Sequence, residues 1–383
     1  MKKLSKIMGY LLVALVSSGL TLGALAMMGH LKTGKLTELQ NFIEERFIGE
    51  VDGTALEDAA AAAMVAATGD RWSGYIPAAE YQDYMDRMNN AYVGIGVTIR
   101  PLEDGSGFEV IQVEPSGPAA ESGVEAGDIV VAVSGQRVAG MSASDVSVMV
   151  KGKAGTTVDM TFARGEEELT FTIERREIQT VVARGEMLED GVGLVTINNF
   201  DSRCADETIA AIEDLLDRGA KKLIFDVRGN PGGYASELVE VLDYLLPEGP
   251  LFRSEYYTGK VKVDESDAKC LEIPMAVLMN GDSYSAAEFF AAALEEYEAA
   301  VTVGEPTTGK GYFQTTTRLS DGSAVRLSIG KYTTPNGVSL AEVGGLVPNI
   351  QVDVDDETYA EIAAGILDPA EDPQIQAAVE ALR

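Results

Sequence analysis

Near residue 184 the sequence changes period. From Tyr92 to about Ile178 apolar residues alternate with polar ones and the chain turns at glycines. After Arg184, strand-length apolar runs are separated by stretches of helical period. The second pattern reads as strand 191–199, helix 205–216, buried strand 222–227, helix 233–246, strand 275–279, helix 286–298 and strand 300–303. Strands alternating with helices imply a parallel sheet covered on both faces, with right-handed crossovers. Functional loops of such sheets lie beyond the carboxyl ends of the strands. Two loops fit: Arg228-Gly229-Asn230-Pro231-Gly232-Gly233 and Asn280-Gly281-Asp282-Ser283-Tyr284-Ser285. With 383 residues and 46% hydrophobic content, the chain is expected to build two or three cored domains.

The N-terminus has a different character. Lys2, Lys3 and Lys6 precede an uncharged run from Ile7 to Met28. As a helix that run would be roughly 33 Å long, enough to cross a bilayer core. Lysines before it and acidic sequence after it place the body outside the cytoplasm. An uncleaved anchor is the expectation, with a signal peptide cut near Ala24–Ala26 as the alternative. Beyond it, Leu36, Leu39, Ile43 and Phe47 share a helical face, and a capping box at Thr54 and Glu57 opens a second helix that stops at Gly69. The segment to Asn90 shows no chemistry and reads as a helical cap or spacer.

The formal charge of −31, with no basic run after the N-terminus, repels phosphate backbones and argues against nucleic acid. Cys204 and Cys270 cannot form a disulfide framework or a CxxC metal site, leaving one disulfide or two buried thiols. The only histidine is His30, beside the apolar N-terminal run, so catalysis in the body must do without imidazole. Ser285 stands at the start of a helix, where free N–H groups favour an anion. Either Ser285 or Ser283 could equally be a simple helix cap. The stretch is not a nucleophile elbow, and no histidine can complete a triad. A lysine can replace it as base if it is neutral. Lys310, set between Gly309 and Gly311 and flanked by Tyr312 and Phe313 that could desolvate it, is such a residue, although a Gly-Lys-Gly alone is usually a solvated turn. Gln314 follows four residues on.

In the alternating region, Gly94-Ile95-Gly96-Val97 is followed by Pro118-Ala119-Ala120 and then by Gly127-Asp128-Ile129-Val130, a helix over 142–150 and strands over 156–162 and 168–173. This order resembles a PDZ domain over about 85 residues. The resemblance implies that Val93, Gly94, Ile95, Gly96 and Val97 form a carboxylate loop. Consecutive N–H groups there would hold a terminal carboxylate while the peptide adds a strand to the sheet edge. A dinucleotide fingerprint is a weak alternative, lacking a third glycine and a βαβ unit, and a purely structural set of turns is another.

The segments NGDSYSAAEFFAAAL, VGEPTTGKGYFQ, FDVRGNPGG, TPNGVSL and GGLVPNI, with GDRWSGYIP earlier, resemble the carboxyl-terminal processing peptidases, or tail-specific proteases. The likeness runs from about Leu36 to the C-terminus. It implies an α/β crotonase-like protease core with an inserted β-rich PDZ domain and an N-terminal helical segment. The expected boundaries are an anchor or signal at 1–30, the helical segment at 31–89, the PDZ domain at 90–178, the core at 179–355 and a helical tail at 356–383. It further implies Ser285 as nucleophile, Lys310 as general base, Gln314 as the group that orients it, and Gly232, Gly233 and Ala286 as oxyanion donors. No metal or organic cofactor is expected. The partners implied are protein or peptide substrates with apolar free C-termini, together with the membrane through the N-terminal segment, and self-association is left open. Two positions depart from the family pattern: Tyr284 in the serine loop, and Lys151, where arginine is frequent. A membrane-tethered PDZ scaffold with an inactive core is the alternative from another class, opposed by the presence of Ser285, Lys310 and Gln314 together. An acyl-CoA enzyme fits poorly with an export signal.

Overall fold

The computed structural model describes residues 34–383; the apolar run and the anchor expected there lie outside them. No helix among the described residues is long and apolar enough to cross a membrane. The chain divides into two compact units between Pro77 and Ala78.

The first unit holds helices α1 (Lys35–Arg46) and α2 (Gly53–Ala66) and the short strand β1 (Gly74–Ile76). α2 does not start on the box expected at Thr54. Asp52 lies two residues earlier and its carboxylate accepts the Thr54 and Ala55 N–H groups at 2.9 and 3.2 Å, so it already serves the free donors of the first turn. The apolar face expected on α1 is real as a pattern but is not buried: Leu36, Leu39 and Phe47 are exposed.

In the second unit α3 (Tyr81–Met88) leads to β2 (Ala91–Gly94), which pairs antiparallel with β9 (Arg176–Gln179), Ala91 opposite Gln179. The two strands bring the chain into and out of the inserted domain side by side. Between them lie β3 (Val97–Pro101), β4 (Phe108–Val113), α4 (Pro118–Glu121), β5 (Ile129–Val133), β6 (Gln136–Arg137), α5 (Ala143–Val150), β7 (Thr157–Arg164) and β8 (Glu167–Glu174). The main sheet has the order β3-β4-β5-β7-β8, which leaves β3 at an edge. Ser142 and Asp145 cap α5 reciprocally, and Val146 of its inner face joins Ile95, Phe108, Val130 and Phe162 in a separate core.

The remaining chain forms a six-stranded sheet in the order β10-β11-β12-β15-β16-β19. Its strands are β10 (Ala183–Met187), β11 (Val192–Ile197), β12 (Lys222–Asp226), β15 (Met275–Met279), β16 (Ala300–Gly304) and β19 (Ile350–Gln351). All are parallel except β10, which runs antiparallel to β11. Helices α6 (Cys204–Asp217), α7 (Ala235–Leu245) and α8 (Ala286–Glu296) cover one face. There Val195, Phe225 and Val277 meet Leu215, Leu242 and Phe290. The alternate residues Leu194, Ile224 and Leu278 point to the other face and meet Ile375 and Ala378 of α11 (Pro373–Ala381). Burial on both faces explains why these strands read as unbroken apolar runs. β12 neighbours β15 because the chain between them leaves to form the hairpin β13 (Gly249–Tyr256) and β14 (Val261–Ser266). β13 also pairs with the end of β18 (Ala324–Thr333), which pairs along its length with β17 (Tyr312–Arg318). The two short helices α9 (Leu340–Val343) and α10 (Asp356–Ala364) complete the unit. Cys204 and Cys270 are both free, which excludes the disulfide; Cys204 is buried and Cys270 only half-buried.

Candidate active site

Both loops singled out by sequence lie at the carboxyl ends of neighbouring parallel strands, β12 and β15. Ser285 is the residue before α8 and is 8% exposed. Its φ of 58° and ψ of −123° are rare for a residue with a side chain, a local strain that the surrounding bonds must hold. Ser283 has a different task. It is fully buried, and its hydroxyl donates to the Val227 carbonyl at 2.7 Å while accepting the Asn280 N–H at 3.0 Å, tying the two loops together.

The Arg228–Gly233 loop packs directly beneath the serine. Gly232 has a φ of 84°, and a Cβ there would lie 2.7 Å from Ser285 Cβ and 2.8 Å from Ala286 N, so only glycine fits. At Gly233 a Cβ would fall 2.1 Å from the Phe200 carbonyl carbon. The Gly232 N–H donates to Asn230 Oδ1 at 2.8 Å, and Asn230 in turn donates to the Ile197 carbonyl at 2.7 Å. Next to Ser285 a small apolar cavity is walled by Leu238, Phe252, Ala286, Phe289 and Tyr332. Burial pushes the Tyr332 phenol well above its ordinary range, so this wall stays uncharged.

Lys310 lies in the loop between β16 and β17. Its glycine neighbours allow tight folding, as expected: a Cβ on Gly309 would meet Gly345 N at 2.8 Å, and one on Gly311 would meet Ala341 N at 3.0 Å. The GGLVPNI segment therefore cradles the lysine loop, and Leu346 N–H donates to Thr307 Oγ1 at 2.8 Å. Thr308 closes the same gap from the other side, donating its N–H to the Ser283 carbonyl and its hydroxyl to the Gly281 carbonyl.

A glutamate within the NGDSYSAAEFFAAAL segment holds the two loops in register. Glu288, on the first turn of α8, is fully buried. Its Oε2 accepts the backbone N–H groups of both Ser285 (2.9 Å) and Lys310 (2.8 Å), and its Oε1 accepts Thr307 Oγ1 and Gly309 N–H, each at 2.6 Å. One carboxylate thus fixes the main chain of both candidate groups. The signal was a glutamate three residues into a helix after a serine, which reads as an ordinary cap.

Gln314 places its amide nitrogen 3.0 Å from both Ser328 Oγ and the Tyr312 carbonyl, across the β17–β18 pair. The rings expected to desolvate Lys310 turn elsewhere: Tyr312 is 45% exposed, and Phe313 stacks on Tyr332 at 4.7 Å and meets Tyr256 edge-on at 5.0 Å. Neighbouring residues on a strand point to opposite faces, so both could not have flanked the amine. The ring set over Lys310 Nζ is that of Tyr284, 5.5 Å to its centroid.

In the inserted domain, Val93 to Val97 line a groove of about 470 Å³ closed on its far side by Val146, Val150 and Lys151 of α5 and the residue after it. The Ile95 and Gly96 carbonyls are turned inward to accept Ala119 and Glu114 N–H groups at 2.9 Å.

Residues 191–352 match the profile of peptidase family S41, and residues 93–174 that of the PDZ domain. The chain is 29% identical over 367 residues to the carboxy-terminal processing protease CtpA of Bacillus subtilis (strain 168), covering 92% of this chain and 77% of that one. With CtpB of the same organism it shares 28% over 327 residues, 83% of this chain and 67% of the relative. Among solved structures, a Bacteroides fragilis NCTC 9343 protein assigned to the S41 proteases superposes with a TM-score of 0.56 at 15% identity, over 89% of this chain and 96% of that one, a likeness of fold. With a peptidase family S41 domain and a PDZ domain in one chain, and similarity to carboxy-terminal processing proteases along most of its length, the protein is a serine-type peptidase.

Proposed function

We propose that the protein is an extracytoplasmic endopeptidase, held at the membrane by its N-terminal segment, which selects substrates by apolar free C-termini through the PDZ groove and cuts them at a Ser-Lys site in a core of crotonase-like type. A neutral Lys310 amine takes the Ser285 hydroxyl proton as Oγ attacks a peptide carbonyl, and the resulting ammonium protonates the leaving amine before water releases the acyl group. Gln314 orients the lysine from its place on β17. Gly232, Gly233 and Ala286 form the region that receives the oxyanion, each donor worth about 3 to 4 kcal/mol. Because the Gly232 N–H is already spent on Asn230, Gly233 and Ala286 are the amides left to donate. The observation that carries the reading is Glu288, whose single Oε2 bonds the main-chain amides of both Ser285 and Lys310.

The test is a zymogram on a model unfolded protein with purified wild type and variants. Ser285→Ala and Lys310→Arg are expected to be folded and inactive, because a guanidinium stays charged at any working pH and cannot accept the proton. Substantial proteolysis by a folded Lys310→Arg variant would refute the assignment of the base, and full activity in Ser285→Ala would move the nucleophile elsewhere.

A further inference from the structure

Tyr284, the departure from the family pattern in the serine loop, is the residue whose ring meets the candidate base. Its position is set by main-chain bonds on both sides: its N–H donates to the Asn230 carbonyl at 3.1 Å, and its carbonyl accepts the Ala287 N–H at 3.3 Å. These bonds fix the backbone that carries the ring, and Lys310 Nζ lies 5.5 Å from the ring centroid. Burial holds the phenol above its ordinary range, with Asp282 adding to the effect and Arg326 opposing it, so the ring keeps a neutral, electron-rich face.

We propose that Tyr284 is a positioning residue that keeps the Lys310 amine beside Ser285 and stabilises the ammonium formed there during acylation. The inference rests on the Ser-Lys reading above. In that step the Ser285 O–H bond breaks, its proton goes to the nitrogen lone pair of Lys310, a bond forms from Oγ to the substrate carbonyl carbon, and the carbonyl π pair moves to oxygen. Before the step Nζ is neutral and feels little of the ring quadrupole. Afterwards it is a cation in front of an aromatic face. The interaction strengthens as charge develops, which is the property that lowers a barrier. It also fits the exposure of Tyr312 and the stacking of Phe313 on Tyr332, with the Tyr284 ring set over the amine.

Other charged or titratable groups surround this point. Glu288 of α8 bonds the main chain of Lys310 and Ser285. Asp282 of the serine loop is hydrogen-bonded by Tyr359 of α10. Arg326 of β18 acts on the Tyr284 phenol, and Lys331, opposite Tyr312 on the same strand, is paired with Glu255 at 3.4 Å.

Tyr284→Phe keeps the aromatic face, whereas Tyr284→Leu keeps bulk and apolarity without it. With a peptide substrate, the Phe variant is expected to stay within about twofold of wild type at every pH. The Leu variant should lose about 3- to 10-fold in plateau kcat with little change in KM, and the midpoint of the basic limb in kcat/KM should move down by about half a pH unit, because the ammonium has lost its stabilising partner. If the Leu variant does not fold, 3,4,5-trifluorophenylalanine at position 284 weakens the quadrupole at nearly constant shape and should give a loss between those of Phe and Leu. An unchanged profile in the Leu or trifluoro variant overturns the proposal, as does a Phe variant as impaired as Leu, or a midpoint that moves up. Activity surviving in Ser285→Ala, by contrast, would sink the Ser-Lys reading itself.

Discussion

Ser285 and Lys310 stood out in the sequence as candidates because each is a suitable residue type in a loop at the end of a parallel strand, and both leave local marks. Glu288 and Tyr284 were less legible, since their roles depend on which loops meet across about 20 intervening residues. Phe313 shows the same difficulty: it stacks on Tyr332, and flanking in sequence on a strand does not mean facing the same partner. Another polar group lies near the Arg228–Gly233 loop. Asp201, next to Phe200, whose N–H donates to the Gly232 carbonyl at 2.8 Å, is pushed up to about 7, first by burial and then by Glu237. A carboxyl group raised on folding binds its proton more tightly in the native state. Its contribution to stability is therefore full below its unfolded value of 3.8 and is lost as pH rises toward about 7. Asp201→Asn should then raise the melting temperature by a few degrees at pH 8 and by less than half as much at pH 5. An equal gain at both pH values would show that charge is not the cause.

Strands and helices of the doubly covered sheet were readable almost to the residue, because burial on both faces writes long apolar runs and the crossover helices write a 3.6 period. The strand expected at 275–279 is β15, and the helix expected at 205–216 is α6 at Cys204–Asp217. At the antiparallel edge of that sheet and outside it the signal was weak. β10, β13, β14, β17 and β18 carry mixed, half-exposed faces, so neither period dominates. The tail helix α11 is held by a contact that only the folded chain reveals. Arg228, at the start of the glycine loop, donates to Asp226 at 2.6 Å, to Asp372 at 2.8 Å and to Gln374 Oε1 at 2.9 Å, with its side chain only 5% exposed. Burial alone would lower the Arg228 pKa, but the two aspartates outweigh it and keep the guanidinium charged. Asp372 also caps α11 through the Gln374 and Ile375 N–H groups. Asp372→Ala should thus cost on the order of 2 to 4 kcal/mol by removing a buried partner and a cap together, while Asp372→Asn, which can still cap, should cost less. Chemical denaturation of both variants tests this, and an Asn variant as unstable as Ala would mean that the ion pair carries the whole effect.

The two functional parts of the second unit, PDZ groove and serine loop, are linked through the paired strands β2 and β9, and side chains brace this neck. Arg203 donates to the carbonyls of Asn89 at 2.8 Å and Thr180 at 2.6 Å, and Asn199 donates to Asn90 Oδ1 at 2.6 Å. The sequence announced the inserted domain by its glycine turns but could not show that its ends return to one point, since that depends on a pairing 88 residues apart, Ala91 with Gln179. In the proposed reading, the groove beside the open edge of β3 reads the end of a substrate whose interior is cut at Ser285, beside the small apolar cavity. If the Gly94–Val97 loop reads the terminal carboxylate, a long peptide ending in apolar residues should be cut faster than its C-terminally amidated twin. The amide keeps the strand-forming backbone and loses only the charge that the N–H nest favours. The difference should appear mainly in KM, because the contact is remote from the reacting bond and acts equally before and during the chemistry. It should also vanish for peptides too short to span both places. Equal cleavage of the free acid and the amide in the long peptide would show that the groove does not read the chain terminus.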